Sequence, residues 1–296
     1  MKVSIQKEDI YNSSVKDYFS LLKPRVMSLV VFTSLAGLLL APGDIHPFIA
    51  FLSILFTSMG AGAAGCLNMW YDRDIDSIMS RTKKRPIPSG SINESDALTF
   101  GVGLSVFSVM GMFVFVNNVS AIILLSSIAF YYFIYTAWLK RSTVQNIVIG
   151  GAAGAFPPMI GWAAVTNSVS IESISLFMII FLWTPPHFWA LSLYKADDYR
   201  MANIPMMPVV MGNDYTKYNI FYYTIAMTLA VVAPYLLGFA GSFYLITSSI
   251  AGIYFVYLSG LLLSEKGIKT APKLFGYSIF YLFAIFLFMI LDKLFI

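Results

Sequence analysis

The chain has 296 residues, 58% hydrophobic and only 11% charged, with a formal net charge of +4. Soluble domains carry roughly 25% charged residues, so the composition excludes a water-soluble enzyme, describes an integral membrane protein and gives no reason to expect a nucleic-acid partner. The single cysteine, Cys66, excludes an intrachain disulfide and any metal or cluster site built from several cysteines.

Residues 1–24 lack the apolar core of a secretory signal, and Glu8, Asp9 and Asp17 are out of place in an acidic-poor transit peptide. They read as a cytoplasmic extension with a short interfacial helix near Val15–Leu22. The transmembrane domain is expected over 25–296. It holds nine apolar runs, each long enough for a helix to cross the hydrocarbon layer, near 26–42, 47–67, 97–116, 119–139, 144–165, 170–193, 217–239, 243–263 and 273–294. None alternates with period two, so the class is all-α. Connections alternate in character. PGDIHP, VNN, TNSVSIES and FAGS hold no Lys or Arg, whereas 18 of the 19 cationic residues fall in the N-terminus and the connections after even-numbered spans. By the positive-inside rule those segments are cytoplasmic and the C-terminus lies outside. Gly60, Gly62 and Gly65, and Gly150, Gly151 and Gly154, read as helix-packing positions.

Two segments carry chemistry. The first, NMWYDRDIDSIMSRTKKRPIPSG (68–90), leaves span two. Asn68, Asp72 and Asp76 stand four apart and share one face of a continued helix. Two carboxylates and an amide oxygen pointing one way suit Mg2+, which takes oxygen ligands and completes its shell with water and substrate phosphate. Carboxylates facing anionic cytoplasmic lipid would otherwise be repelled. Asp74 falls on another face, toward solvent. Arg81, Lys83, Lys84 and Arg85 follow at once; topology alone makes such loops basic, but beside the carboxylates they offer the opposite sign needed to hold an anion bridged through a metal. The second segment, FLWTPPHFWALSLYKADDYRMANIPMMP (181–208), leaves span six on the same side. Tyr194 and Asp198 are again four apart, with Lys195 and Asp197 between them. Such a pair in corresponding places suggests an internal repeat whose halves share one cavity, in an enzyme or in a transporter.

With these segments in view, the chain resembles the UbiA-type intramembrane prenyltransferases. The matching stretches are KPRVMSLVVFTSLAG (23–37), the N-x-x-x-D-x-x-x-D of 68–76, RPIPSG (85–90), YTAWLKRSTVQNIVIGGAAGAFPPMIGW (135–162) and WTPPHFWALSLYKADDYRMANIPMMPVV (183–210). The last of these resembles the branch that prenylates protohaem. The resemblance implies a bundle around a central cavity, capped on the cytoplasmic side by the two motif loops, in the inner membrane of a bacterium. It implies farnesyl diphosphate as donor, Mg2+ as cofactor, protohaem IX as acceptor, and a downstream haem-modifying enzyme as partner.

Carried over by position, Asn68, Asp72 and Asp76 form the first metal motif. Relatives have D-x-x-x-D at the second, where this chain has Tyr194 leading, which leaves Asp198 with Asp197 as metal candidates. Arg25, Arg81, Lys84, Arg85, Lys140, Arg141 and Lys195 are candidates for the diphosphate oxygens. Tyr135 and Lys140 are five apart where several relatives have four, which favours Lys140 and Arg141 as diphosphate contacts over Tyr135 as a cation stabiliser. His187 follows Pro185 and Pro186 at membrane depth. It is read either as a ligand for haem iron or as a partner for carbonyls freed by the proline break. Two rival functions stay open at this point: prenylation of an aromatic acid or quinone precursor, and transport of an anionic substrate.

Overall fold

The computed structural model describes residues 13–293; the first half of the expected cytoplasmic extension lies outside the described residues. Helices account for every expected span. A short α1 (Val15–Leu21) precedes α2 (Pro24–Leu40). Then come α3 (Pro47–Tyr71), α4 (Arg73–Ile78), α5 (Glu94–Phe115), α6 (Asn118–Ser142) and α7 (Asn146–Thr166). The second half holds α8 (Ile171–Tyr194), α9 (Ala196–Met201), α10 (Met207–Val210), α11 (Asn213–Leu236), α12 (Ser242–Ser264) and α13 (Ala271–Lys293). Eight of these are apolar and long enough to cross a bilayer alone. The ninth, α2, has 17 residues, which at 1.5 Å each rise about 26 Å, and it bends by 57° from α1. α1 therefore lies across the direction of α2. It is no loose extension, because fully buried Leu21 joins Cys66, Met69, Ile87, Ile92 and Ala97 in a small core.

The spans form a closed ring. Neighbours in sequence touch from α5 through α6, α7 and α8 to α11, α12 and α13; α13 meets α2, α2 meets α3, and α3 meets α5. Other contacts cross the ring: α2 with α7, α8 with α13, and α3 with both α6 and α7. Outward faces keep large apolar side chains exposed, such as Val106, Phe107, Met110, Phe113 and Val114 of α5, as a lipid-facing surface requires. One backbone carbonyl freed by proline finds a side-chain partner: Pro157 cannot donate to Ala153 O, and Ser127 Oγ donates to it at 3.2 Å.

Two departures from regular helix position the site. α3 and α8 each break at one residue, Asp72 and Lys195, and continue as the six-residue helices α4 and α9. The two halves thus repeat one design at corresponding places. Within α6, residues Phe130–Leu139 wind as a π-helix, a form that concentrates at functional sites.

Candidate functional site at the meeting of the two motif segments

The break at Asp72 does not interrupt the helical register, since Asp72 N donates to Asn68 O at 3.0 Å and Asp76 N to Asp72 O at 2.8 Å. Asn68, Asp72 and Asp76 are accordingly all buried, Asp72 completely. Burying carboxylates is costly unless cations hold them, and each has one. Asp72 Oδ2 accepts from Lys140 Nζ at 2.5 Å and from Asn68 Nδ2 at 2.7 Å. Arg141 stands 3.5 Å from Asp72 Oδ1. Asp76 Oδ2 accepts from Arg85 at 2.6 Å.

The second segment closes over the first. Ser80 Oγ donates to Asp198 Oδ2 at 2.6 Å across 118 residues of sequence. Ile75 and Met79 of the first segment share a core with Tyr199, Ala202, Ile204 and Met206 of the second. Tyr199 is buried beside Arg81; burial pushes its phenol up, and the guanidinium pulls it back. Both motif helices therefore end on one side of the bundle, where their side chains meet in one polar cluster.

Several candidates stand elsewhere. Asp197 points to solvent, its side chain 89% exposed and paired with Arg200 at 2.6 Å, because one residue of helix turns it away from the face that buries Asp198. Arg25 and Lys84 are exposed, and with half-buried Lys195 they make no side-chain hydrogen bond or ion pair among the described residues. Arg141 is shared outward: it holds Asp74 through two 2.7 Å bonds and lies over the Tyr71 ring at 5.0 Å. That pairing holds the Asp74 carboxyl below its usual range. Asn68 belongs to the cluster, but its Oδ1 accepts from Lys23 Nζ at 2.5 Å, so this oxygen faces an ammonium in the present arrangement.

Lys23 is the residue that the sequence reading passes over in favour of Arg25. It stands immediately before Pro24 at the start of α2, where proline disfavours a helical residue, and it adopts φ 53°, ψ 56°. A side chain in that left-handed conformation costs about 1–2 kcal/mol and here turns inward. Its ammonium lies 5.8 Å from the Tyr131 ring. Burial, with Arg85 and Lys140 adding repulsion, pushes the amine down to about 7.

The π-helix sets how Tyr135 and Lys140 stand to one another. Lys140 N donates to Tyr135 O, five residues back, so each turn takes one residue more than in an α-helix. A five-residue spacing then places Tyr135 and Lys140 on one face. Tyr135 stacks on Tyr131 at 5.5 Å, and Thr136 Oγ accepts from Asn68 Nδ2 at 3.0 Å. Gly150 is a seat for this pair as well as a packing position, since a Cβ there would lie 2.1 Å from Tyr135 Cδ2.

A model of the UbiA prenyltransferase family matches residues 30–289. The chain belongs to this family. Among UbiA-family relatives, the protoheme IX farnesyltransferase of Rhizobium meliloti (strain 1021) is 57% identical over 95% of this chain and 90% of its own length. That of Orientia tsutsugamushi (strain Ikeda) is 53% identical over 96% and 91%. The fold is similar to that solved for a digeranylgeranylglyceryl phosphate synthase, with TM-score 0.80 at 20% identity over 95% of this chain and 99% of that one. A UbiA homologue from Archaeoglobus fulgidus bound to GPP and Mg2+ gives TM-score 0.70 at 14% identity over 93% and 99%. This is a multi-pass membrane protein with the all-helical UbiA architecture.

Proposed function

We propose that the chain transfers a farnesyl group from farnesyl diphosphate to a vinyl group of protohaem IX, giving haem O and diphosphate. The observation that carries this reading is the gathering of buried Asp72, Asp76 and Asp198 with Lys23, Arg85, Lys140 and the exposed Arg81 at one end of a helical bundle of the family. Its relatives carry the name protoheme IX farnesyltransferase. The positive-inside pattern supports a cytoplasmic position for this cluster in the inner membrane of a bacterium, within reach of a downstream haem-modifying enzyme.

The donor set fits Mg2+. Among the described residues no three acidic, His or Cys side chains converge on one point. Mg2+ does not need such a cage, because one or two carboxylates plus substrate phosphate and water complete its shell. Asp72 and Asp76 of the first motif and Asp198 of the second would supply those one or two carboxylates to an ion, and Mg2+ would supply charge for the departing diphosphate. The chain's own residues do the rest. Lys140 and Arg85, fixed by Asp72 and Asp76, and Lys23, fixed by Asn68, present preorganised donors to the diphosphate as the C1–O bond breaks and its electron pair leaves. The Tyr131–Tyr135 stack offers ring faces to the allylic cation. Burial among apolar helices keeps water from that cation until the vinyl π-pair has attacked C1. Water then adds to the new cation with loss of a proton.

Purified protein given haem B, farnesyl diphosphate and Mg2+ is expected to yield a haem heavier by one farnesyl and one water unit. A mass spectrum showing consumption only of a competing aromatic acid acceptor, or uptake into vesicles without a prenylated product, defeats this reading. Lys23→Met is expected to raise KM for farnesyl diphosphate by about 10–100-fold, since a charge-assisted hydrogen bond contributes about 1.5–3 kcal/mol. Arg25→Met, the exposed neighbour, serves as the control and is expected to leave KM unchanged. Steady-state kinetics on the pair decides between them.

A further inference from the structure

His187 lies in α8 two turns before Tyr194, about 10 Å deeper along the helix axis than the second motif. Its imidazole is clamped between two aromatic rings, Trp183 at 4.2 Å and 18°, and Phe275 of α13 at 4.6 Å and 22°. Phe275 also meets Tyr194 edge-on at 6.1 Å, so one apolar ridge runs from the imidazole to the motif. His187 Nδ1 lies 2.7 Å from Ser278 Oγ. The partner of the ring is therefore a side chain on another helix and not a carbonyl freed by Pro185 and Pro186.

The 2.7 Å contact alone fits either direction, and the tautomer is assigned from the rest of the hydrogen-bond inventory. Ser278 Oγ has one proton, and it goes to Phe275 O at 2.7 Å. Toward the imidazole, Ser278 can then only accept, so the ring proton sits on Nδ1 and Nε2 keeps its lone pair. Trp183 Nε1 donates to Ser278 O at 2.7 Å, which fixes the serine's own place. Nε2 has no partner among the described residues, yet it is not among the sealed polar atoms, although the residue as a whole is only 8% exposed. Trp183 and Phe275 cover the ring faces and Phe188 stands perpendicular to the ring at 5.1 Å, so an approach to Nε2 runs in the plane of the imidazole. That is the direction of a metal bond, not of a stacking partner.

Two roles suit a free imidazole nitrogen: base and metal ligand. Among the described residues no carboxylate contacts the ring, so protonating it would leave an uncompensated buried charge. A neutral ligand carries no such penalty, and metal-bound histidines characteristically donate the other ring N–H to a fixed acceptor. We infer that His187 Nε2 is the axial ligand for the iron of the acceptor porphyrin, and that Ser278 is a positioning residue that fixes its tautomer and in-plane aim. The inference rests on the proposed acceptor. It assigns that acceptor's place beside His187 of α8, deeper in the bundle than the motif cluster.

The test is a titration of the full-length protein in detergent with ferric haem B, followed by visible absorption and electron paramagnetic resonance. Wild-type protein is expected to show imidazole-ligated iron. His187→Ala is expected to lose that signature and bind haem at least about 10-fold more weakly, with the signature restored by added imidazole. Ser278→Ala is expected to keep an imidazole ligand but shift the iron–nitrogen stretch in the resonance Raman spectrum of the ferrous form, with farnesyl diphosphate affinity unchanged. An unaltered spectrum in His187→Ala overturns the inference. If that variant does not fold, an unshifted stretch in Ser278→Ala overturns it. Absence of any prenylated haem from wild-type protein overturns the proposed function instead, so the two failures are separable.

Discussion

Asp72→Asn is expected to lower kcat by about 10³-fold, the scale on which a preorganised electrostatic group acts, with membrane insertion intact. The carboxylate is fully buried and holds three groups at once: Lys140 at 2.5 Å, Asn68 at 2.7 Å and Arg141 at 3.5 Å. Asparagine keeps the shape but removes the charge that would meet Mg2+ and aim Lys140. Part of the effect is structural, since an unpaired buried ammonium costs about 3–5 kcal/mol. The double variant Asp72→Asn/Lys140→Met separates the two parts. It is expected to recover stability lost by the single variant while remaining inactive, because neither partner can then act on the diphosphate. Single-turnover kinetics with saturating farnesyl diphosphate, read beside thermal unfolding, makes the distinction. An Asp72→Asn protein that turns over within a few-fold of wild type would sink the assignment of this carboxylate.

Those parts of the molecule governed by length and polarity were legible from the residues. Nine apolar runs became nine helices, because a bilayer leaves a span little choice but to satisfy its backbone internally. The four-residue spacing of Asn68, Asp72 and Asp76 survived because the break at Asp72 preserves the register on both sides. What escaped depends on backbone geometry or on distant partners. A π-helix has no apolar signature of its own, so the five-residue step from Tyr135 to Lys140 looked like a mismatch. Near the start of span one, charge alone could not rank Lys23 and Arg25. Proline after Lys23 is the signal that separates them, since it forces that residue out of the helix and lets its side chain turn back. In the second motif, one residue of helical rotation divides buried Asp198 from exposed Asp197. Ser80 and Ser278 find their partners 118 and 91 residues away, and nothing local marks either serine.

Gly161→Ala is expected to destabilise the bundle by more than about 3 kcal/mol, beyond the ordinary range for overpacking, and to yield little folded protein. Helices in a membrane approach closely only where residues are small, and α2 and α7 take this to the limit of backbone contact. A Cβ at Gly161 would lie 1.9 Å from Ser34 O and 2.8 Å from Leu38 N, and one at Gly37 would lie 2.0 Å from Pro158 O. The obstructing atoms are backbone on both sides, so no rotamer change relieves them and α2 must move away from α7. Gly103, exposed on α5 with nothing within 4 Å of an added Cβ, is the control. Gly103→Ala is expected to hold or raise stability by up to about 1 kcal/mol through helix propensity. Thermal unfolding in one detergent compares the two; equal melting temperatures would show that the α2–α7 crossing is not fixed by its glycines. The crossing matters beyond stability because Lys23 caps the start of α2. A helix pushed off Ser34 and Leu38 takes that ammonium away from Asn68, so any folded Gly161→Ala protein should also show the raised KM expected of Lys23→Met.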